Sequence, residues 1–320
     1  MTAPLDTDWA AVFDALGHRS AGPIGQGMEG VVHRLDGGLV GKAWTGPHGA
    51  GGRRLPRLSA FYEELAAQHL PFATPRIVAR HEHRGIAVSI EHELPGTPLT
   101  EAHGLSDATV EEATATVVTA LAGTEAGPAA RALSALGEDT PLWAGHADWP
   151  AALAALVRRR AAAFHTVLAA AVPDFDTALD RLLHRLERLT ARGARGGEAI
   201  LHGDICPENL LVDAAGRVTA VLDWGFFTTA GDNAFDASTA AGFRDMYGPA
   251  AARRDASLLR RFEALGHDRE RLLIYRAAYA VAGANAYGAD GKDGHFAWCA
   301  AALRRDDVRA ALGLHGRTAD

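Results

Sequence analysis

A short β-hairpin is written into the middle of an otherwise helical stretch of this chain. Leu210-Leu211-Val212 and Val218-Thr219-Ala220-Val221-Leu222 are apolar and rich in β-branched residues, and Asp213-Ala214-Ala215-Gly216 between them is a strong turn signal. Antiparallel strands joined by a tight turn bring their outer ends together. One outer end is preceded by His202-Gly203-Asp204 and carries Asn209; the other runs into Asp223-Trp224-Gly225. Three oxygen-bearing side chains, Asp204, Asn209 and Asp223, therefore gather at one end of a hairpin. Helical periodicity surrounds it at 106–121, 149–171, 177–192, 257–265, 269–287 and 295–312. In the third of these Leu179, Leu182, Leu183, Leu186 and Leu189 share one face. The fold must pack helices around this hairpin while leaving its polar end open.

The chain changes character at Pro95. Before it, strands are expected at 31–35, led into by 24–27, at 39–44, and at 77–79 and 86–90 around the turn at 81–85. A helix is expected over 57–70, stopped by Pro71, and the Gly/Pro-rich run 46–52 reads as a loop. Gly25-Gln26-Gly27-Met28-Glu29-Gly30 matches G-x-G-x-x-G, a pattern shared by dinucleotide folds and by hairpins that cover phosphates. A dinucleotide fingerprint must open a helix, yet Val31-Val32-His33-Arg34-Leu35 is strand-like and enters the turn Asp36-Gly37-Gly38. Val32 completes the hairpin form of the motif. A turn with no ligand is the plain alternative. Gly41-Lys42 is not a P-loop, since Asp36 stands at its first glycine position and Ala43 replaces Ser or Thr.

Lys42 follows that hairpin on the next strand. Positive charge in this chain is written with Arg: of 32 Lys+Arg only Lys42 and Lys292 are lysines. A lysine that survives such a bias needs a reason, and a compact ammonium on a rigid strand can reach two phosphates. The helix over 57–70 should supply the carboxylate that positions it. Glu63 is preferred over Glu64 because Ala66, Ala67 and Leu70 follow it at packed-face spacing. Glu29 sits at the loop tip, where an acid repels phosphate unless it points outward.

Taken jointly, the glycine loop, the strand lysine, the helix glutamate, the H-G-D-x-x-x-x-N motif at 202–209 and the apolar-Asp-Trp motif at 222–224 resemble the aminoglycoside phosphotransferase family. These small-molecule kinases are relatives of choline kinases and protein kinases. The resemblance runs from about residue 20 to about residue 312. It implies an α+β, protein-kinase-like two-lobe fold: a small β-rich N-lobe with one helix over 1–94 and a larger, mostly helical C-lobe over 95–320. It implies ATP, or GTP, as donor and Mg²⁺ as metal. Nucleotide contacts then fall to Gly25, Gly27, Gly30, Lys42 and Glu63, and to a hinge in which Glu91, Glu93 and Leu94 offer backbone groups. Phosphoryl transfer consists mostly of positioning and charge neutralisation. Asp204 is the expected catalytic carboxylate, and Asn209 and Asp223 are the expected metal ligands. His202 is expected to be structural. Asp232 and Asp236 match the family's G-D-x-x-x-D segment, where Asp236 should brace the catalytic loop. Glu208 departs from the small residue usual in the family at its position.

Net charge is -7, which provides no basic footprint for nucleic acid. No apolar run suits a membrane span, the acidic start is unlike a signal peptide, and Cys206 and Cys299 cannot form a disulfide framework. A cytoplasmic enzyme is the expectation. Residues 1–94 hold 9 Lys+Arg and 10 Asp+Glu, so the acidity lies in the second portion, at -6 against -1. That favours a cationic or neutral hydroxyl-bearing acceptor. By resemblance the acceptor is an aminoglycoside-type antibiotic or amino sugar, with antibiotic resistance as the role. A biosynthetic or salvage kinase for a sugar, amino alcohol or nucleoside is the alternative, and a catalytically silent kinase-like binding protein is the other. Trp143, Asp148 and Trp149, together with Asp290, Asp293, His295 and Trp298, are the expected acceptor contacts, pairing aromatic faces with carboxylates. His81-Glu82-His83 lies in a turn without partners and is not expected to bind metal. A protein kinase is disfavoured, since no A-P-E-like segment follows Asp223.

Overall fold

The computed structural model describes residues 7–27, 29–45, 54–189 and 197–314. The expected loop at 46–52, the end of the helix at 190–192, the chain start at 1–6 and a frayed tail at 317–320 lie outside the described residues.

Helix α1 (Trp9–Ala15) is followed by β1 (Ser20–Gln26), β2 (Val31–Leu35) and β3 (Leu39–Ala43), then α2 (Arg54–Ala66), β4 (Ile77–His83) and β5 (Ile86–His92). The five strands form one antiparallel sheet in the order β1-β2-β3-β5-β4. Gly37 and Gly38 both take positive φ in the β2–β3 turn, as the dipeptide predicts. Helix α1 was not expected. Its apolar residues Trp9, Val12 and Phe13 face the sheet, and Asp8 caps it by accepting from the Ala11 N–H at 3.2 Å. It seats Phe13 against β3 where a Cβ on Gly41 would stand 2.3 Å from the ring, so Gly41 is a packing requirement.

The remainder is mostly helical: α3 (Asp107–Ala122), α4 (Pro128–Arg131), α5 (Trp149–Ala163), α6 (His165–Ala171) and α7 (Phe175–Glu187). The single helix expected over 149–171 is thus two, broken at Phe164, whose φ is -122° and ψ 21°. After them, α8 (Ala234–Phe243) is missing from the periodicity analysis for a physical reason. All ten of its residues are buried, so it has no polar face to give the sequence a helical period. Helices α9 (Ala251–Ala264), α10 (Arg269–Gly283), α11 (Gly294–Arg304) and α12 (Asp306–Ala311) complete the lobe.

Two apolar clusters hold the molecule together. The smaller joins α1 to the sheet through Phe13, Leu35, Ala43, Val88 and Ile90. The larger fills the helical lobe and includes Leu58, Phe61 and Leu65 of α2, with Phe61 5.7 Å from the Trp224 ring. Helix α2 is therefore anchored to the large lobe although it sits within the small lobe's sequence. The architecture is a small antiparallel sheet lobe beside a helical lobe, the two-lobe α+β arrangement expected above.

Candidate active site

Strand β6 (Thr97–Pro98) and the hairpin β8 (Leu210–Val212) with β9 (Val218–Val221) form a three-stranded sheet beneath the interlobe cleft. A second pair, β7 (Ala199–Leu201) with β10 (Thr229–Gly231), delivers the loop that begins at His202. Asp236, in the first turn of α8, accepts from the His202 N–H at 2.9 Å and the Gly203 N–H at 2.8 Å. Gly203 has φ +77°, and a Cβ there would stand 2.5 Å from Phe227, so both conformation and space require glycine. The His202 ring donates from Nε2 to the Leu222 carbonyl at 2.8 Å and accepts at Nδ1 from the Asp204 N–H at 3.1 Å. That pair of bonds fixes one neutral tautomer. Burial pushes its pKa down to about 4, so His202 is a strut rather than a base.

Asn209 closes the loop. Its amide donates to the Asp204 carbonyl at 2.9 Å and to the carboxylate Oδ2 at 3.2 Å, which leaves its own Oδ1 for another partner. Burial pushes the Asp204 carboxyl up to about 7, and repulsion from Asp223 adds to the effect. Asp223 adopts φ +53°, rare for a residue with a Cβ, and keeps 61% of its side chain exposed. Exposed Glu208 makes only a small contribution beside Asp204.

The small lobe closes over this group. Gly27 and Gly30 exchange backbone hydrogen bonds at 2.9 and 3.3 Å. A Cβ on Gly30 would stand 1.8 Å from the Ala43 carbonyl oxygen, so the loop returns hard against β3. Gly25 and Gly27 face open space instead. Lys42 lies over the Trp44 ring at 4.1 Å, donates to Glu29 Oε2 at 2.7 Å, and reaches Asp223 Oδ1 at 3.3 Å. Burial alone would lower its pKa; Glu29, then Asp223 and Glu91, outweigh that and hold the ammonium above its usual range. Gly27, Glu29, Gly30, Val32, Lys42, Asp204, Asp223, Phe226 and Tyr287 line one cavity of about 180 Å³.

Several expected contacts stand elsewhere. Glu63 is exposed and does not pair with Lys42; the acid on Lys42 comes from the glycine loop, and Glu29 points inward. Glu64 is no substitute, because its carboxylate accepts from Gly127, Ala129 and Ala130 at the start of α4. The α2 residue buried beside the lysine cluster is Tyr62. The Glu91 side chain is buried and accepts from Ser89 Oγ at 2.6 Å; Ser89 in turn accepts from the Trp44 indole at 3.0 Å. Glu93 pairs with Arg34, and its N–H donates to the Gly38 carbonyl at 2.9 Å, so that amide is committed. Leu94 follows at the lobe junction, half-buried.

The expected acceptor residues divide into two groups. Trp149 is fully buried with its indole on the Tyr275 hydroxyl, and Trp143 is buried with its indole on the Ala230 carbonyl and Arg131 over its ring. Asp148 caps α5 through the Ala151 N–H. Both tryptophans are core residues and Asp148 is an exposed helix cap, and none of the three lines the cavity that holds Asp204; residue types suited to binding look like contacts only in a sequence without burial. Asp290 is exposed and pairs with Lys292. Asp293 caps α11 through the Phe296 N–H. His295 packs 4.9 Å from Tyr287, which lines the cavity with Asp204, and stacks with Trp298 at 6.1 Å. Tyr287, largely exposed and lining the cavity, has no motif around it that would mark it in the sequence.

Comparisons with known proteins find matches to a family and to the fold. The profile of the phosphotransferase enzyme family, APH, matches residues 46–275, which leaves the glycine loop and Lys42 outside the matched stretch. No curated protein sequence matches the chain. Among solved structures, a thermostable mutant of aminoglycoside phosphotransferase APH(4)-Ia, in ternary complex with AMP-PNP and hygromycin B, superposes with TM-score 0.68 at 18% identity, covering 98% of this chain and 100% of that one. A second mutant of that enzyme, with ADP and hygromycin B, gives 0.67 at 18% identity over 96% and 98%. Aminoglycoside phosphotransferase APH(3'')-Id from Streptomyces rimosus, with ADP and streptomycin, gives 0.51 at 18% identity over 86% and 99%. The family profile spans well over half of the sequence, and the chain belongs to the phosphotransferase enzyme family, APH.

Proposed function

We propose that this phosphotransferase moves the γ-phosphoryl group of ATP, or of GTP, to a hydroxyl of a small cationic or neutral molecule, with an amino sugar or aminoglycoside-type antibiotic as the leading class. The observation that carries this reading is that one cavity brings the glycine loop and Lys42 to Asp204 and Asp223. Residues 1–94 would form the nucleotide lobe and 95–320 the catalytic and acceptor lobe. Gly25 and Gly27, open toward solvent, give phosphates close access to backbone, and Lys42 supplies the cation. The Leu94 N–H is the hinge donor for the base, since Glu93 has given its own away.

The donor set suits Mg²⁺. Asp223 offers a carboxylate and Asn209 an amide oxygen whose nitrogen is already tied to Asp204. Among the described residues no cluster of three or more His, Cys, Asp or Glu side chains could hold a metal. A hard ion held by one carboxylate and one amide takes its remaining oxygens from phosphate and water, as Mg²⁺ does in nucleotide sites. Asp223 and Asn209 would hold it, and it would neutralise charge on the phosphates. Asp204, pushed toward neutral pH, accepts the proton of the acceptor hydroxyl or orients it.

For the acceptor, Tyr287 lines the cavity with His295 and Trp298 packed behind it, and the acidity of 95–320 supports a cationic ligand. The structural neighbours solved with hygromycin B or streptomycin support the same class. The test is an ATP-consumption screen over aminoglycosides, nucleoside antibiotics, amino sugars and amino alcohols, with Asp204→Asn as the blank. Turnover of anionic acceptors alone would overturn the acceptor assignment. Nucleotide binding with no turnover on any acceptor would favour a silent binding protein.

A further inference from the structure

Lys42 needs a fixed position if it is to meet phosphates, and in this molecule α2 does not supply the anchor. Glu63 is exposed, Glu64 is spent on α4, and Tyr62 fills the buried place beside the lysine. The ammonium instead has two oxygen partners, Glu29 Oε2 at 2.7 Å and Asp223 Oδ1 at 3.3 Å. Asp223 is the carboxylate assigned to the metal, so its oxygens are shared once nucleotide arrives. Glu29 is the lysine's partner that no metal would share.

A buried carboxylate holds its charge only when it is paired and hydrogen-bonded. Glu29 meets that condition through Arg54, at the first position of α2, whose guanidinium reaches Glu29 Oε1 at 2.5 Å. Each carboxylate oxygen thus has its own cation. All three side chains are largely shielded from solvent, at 13% exposure for Lys42, 20% for Glu29 and 19% for Arg54, so the pairs escape most of the screening that weakens surface ion pairs. Arg54 also reaches the site floor, since its guanidinium lies 2.9 Å from where a Cβ on Gly225 would stand.

We propose that Glu29 and Arg54 form the positioning unit for Lys42, so that the glycine loop itself carries the carboxylate and α2 carries the arginine that holds it. This rests on reading Lys42 as the phosphate-binding lysine. It has a structural consequence: the loop that covers the phosphates and the lysine that meets them move as one body. The opposite role for Glu29, a plug that phosphates must displace from Lys42, predicts the opposite sign for nucleotide affinity.

The chain's composition provides a readout that needs no substrate. With only two lysines, ¹³C,¹⁵N-lysine labelling gives one side-chain signal for Lys42 and one for Lys292. Glu29→Gln and Arg54→Met should each shift the Lys42 signal and leave Lys292 in place, while Glu63→Gln shifts neither. Calorimetric titration with Mg·AMP-PNP should show affinity falling about tenfold in each variant, the scale of one displaced charge-assisted contact. The double variant should lose no more than the worse single one, because Arg54 acts through Glu29. Thermal unfolding checks the fold. Glu29→Asp, which keeps the charge and shortens the reach, should fall between wild type and Glu29→Gln. An unmoved Lys42 signal, tighter nucleotide binding in Glu29→Gln, or additive losses would overturn the proposal. If wild type binds no Mg·AMP-PNP, the nucleotide reading of the site falls, and the lysine signals still decide whether the pair positions Lys42.

Discussion

Asp236 should be worth several kcal/mol of stability although it touches no reacting atom. It is wholly buried, and its two oxygens take the N–H groups of His202 and Gly203 at 2.9 and 2.8 Å. Asp236→Ala leaves both donors buried without an acceptor. Each unsatisfied donor costs about 1–3 kcal/mol, so the expected loss is about 2–6 kcal/mol, a sizeable part of the roughly 5–15 kcal/mol that holds a domain together. Asp236→Asn keeps one acceptor oxygen and turns an amide N–H toward the second donor, so it should cost about half as much. The assay is urea unfolding, read as a lower midpoint at unchanged slope. The same bonds set the path of the loop from His202 to Asp204, so turnover should fall even where the protein remains folded. An Asp236→Ala protein within about 0.5 kcal/mol of wild type, the usual range for an indifferent surface change, would refute the reasoning.

Asp204→Asn should keep nucleotide affinity and lower kcat by roughly 10²–10⁴, the span for a lost acid–base group; near-normal turnover in a steady-state assay would remove it from catalysis. Asp204 and Asp236 both have folded-state pKa values pushed up to about 7 by burial, above an ordinary carboxyl near 3.8. The folded state therefore binds their protons more tightly than the unfolded chain does, so the contribution of these two carboxyls is full below about pH 4 and is lost as pH rises to about 7; His202 and His295, both pushed down to about 4 by burial, act in the opposite direction over that range, and urea midpoints of wild type against Asp236→Asn from pH 4 to 8 isolate the carboxyl part. Lys42→Arg should fold normally and lose most activity, because a planar guanidinium cannot replace a compact ammonium between Glu29 and Asp223; wild-type kinetics would remove Lys42 from the phosphate-binding role. Trp149→Ala should cost about 3–5 kcal/mol in chemical unfolding, as large aromatic truncations in cores do, and leave the acceptor KM of the folded fraction unchanged.

The hairpin and its polar base were legible because turn chemistry and strand composition are local. Asp213-Ala214-Ala215-Gly216 sets the turn, and the fixed spacing from it places Asn209 and Asp223 on either side of one point. The β2–β3 turn and the sheet strands were readable for the same reason. Helix α8 was not, because full burial erases the period that betrays a helix. Trp143, Asp148 and Trp149 show the opposite error, where residue types suited to binding proved to be core and cap. The partner of Lys42 was decided only in three dimensions. Glu63 has the better spacing along α2, yet the helix turns Tyr62 and Phe61 inward, because the large lobe offers an apolar surface around Trp224 and burying an aromatic ring there outweighs burying an acid. That rotation leaves the lysine to the nearest acid from elsewhere in the chain. Sequence determines which groups can do the chemistry; which carboxylate reaches which ammonium depends on how α2 packs against a lobe whose core residues lie far along the chain.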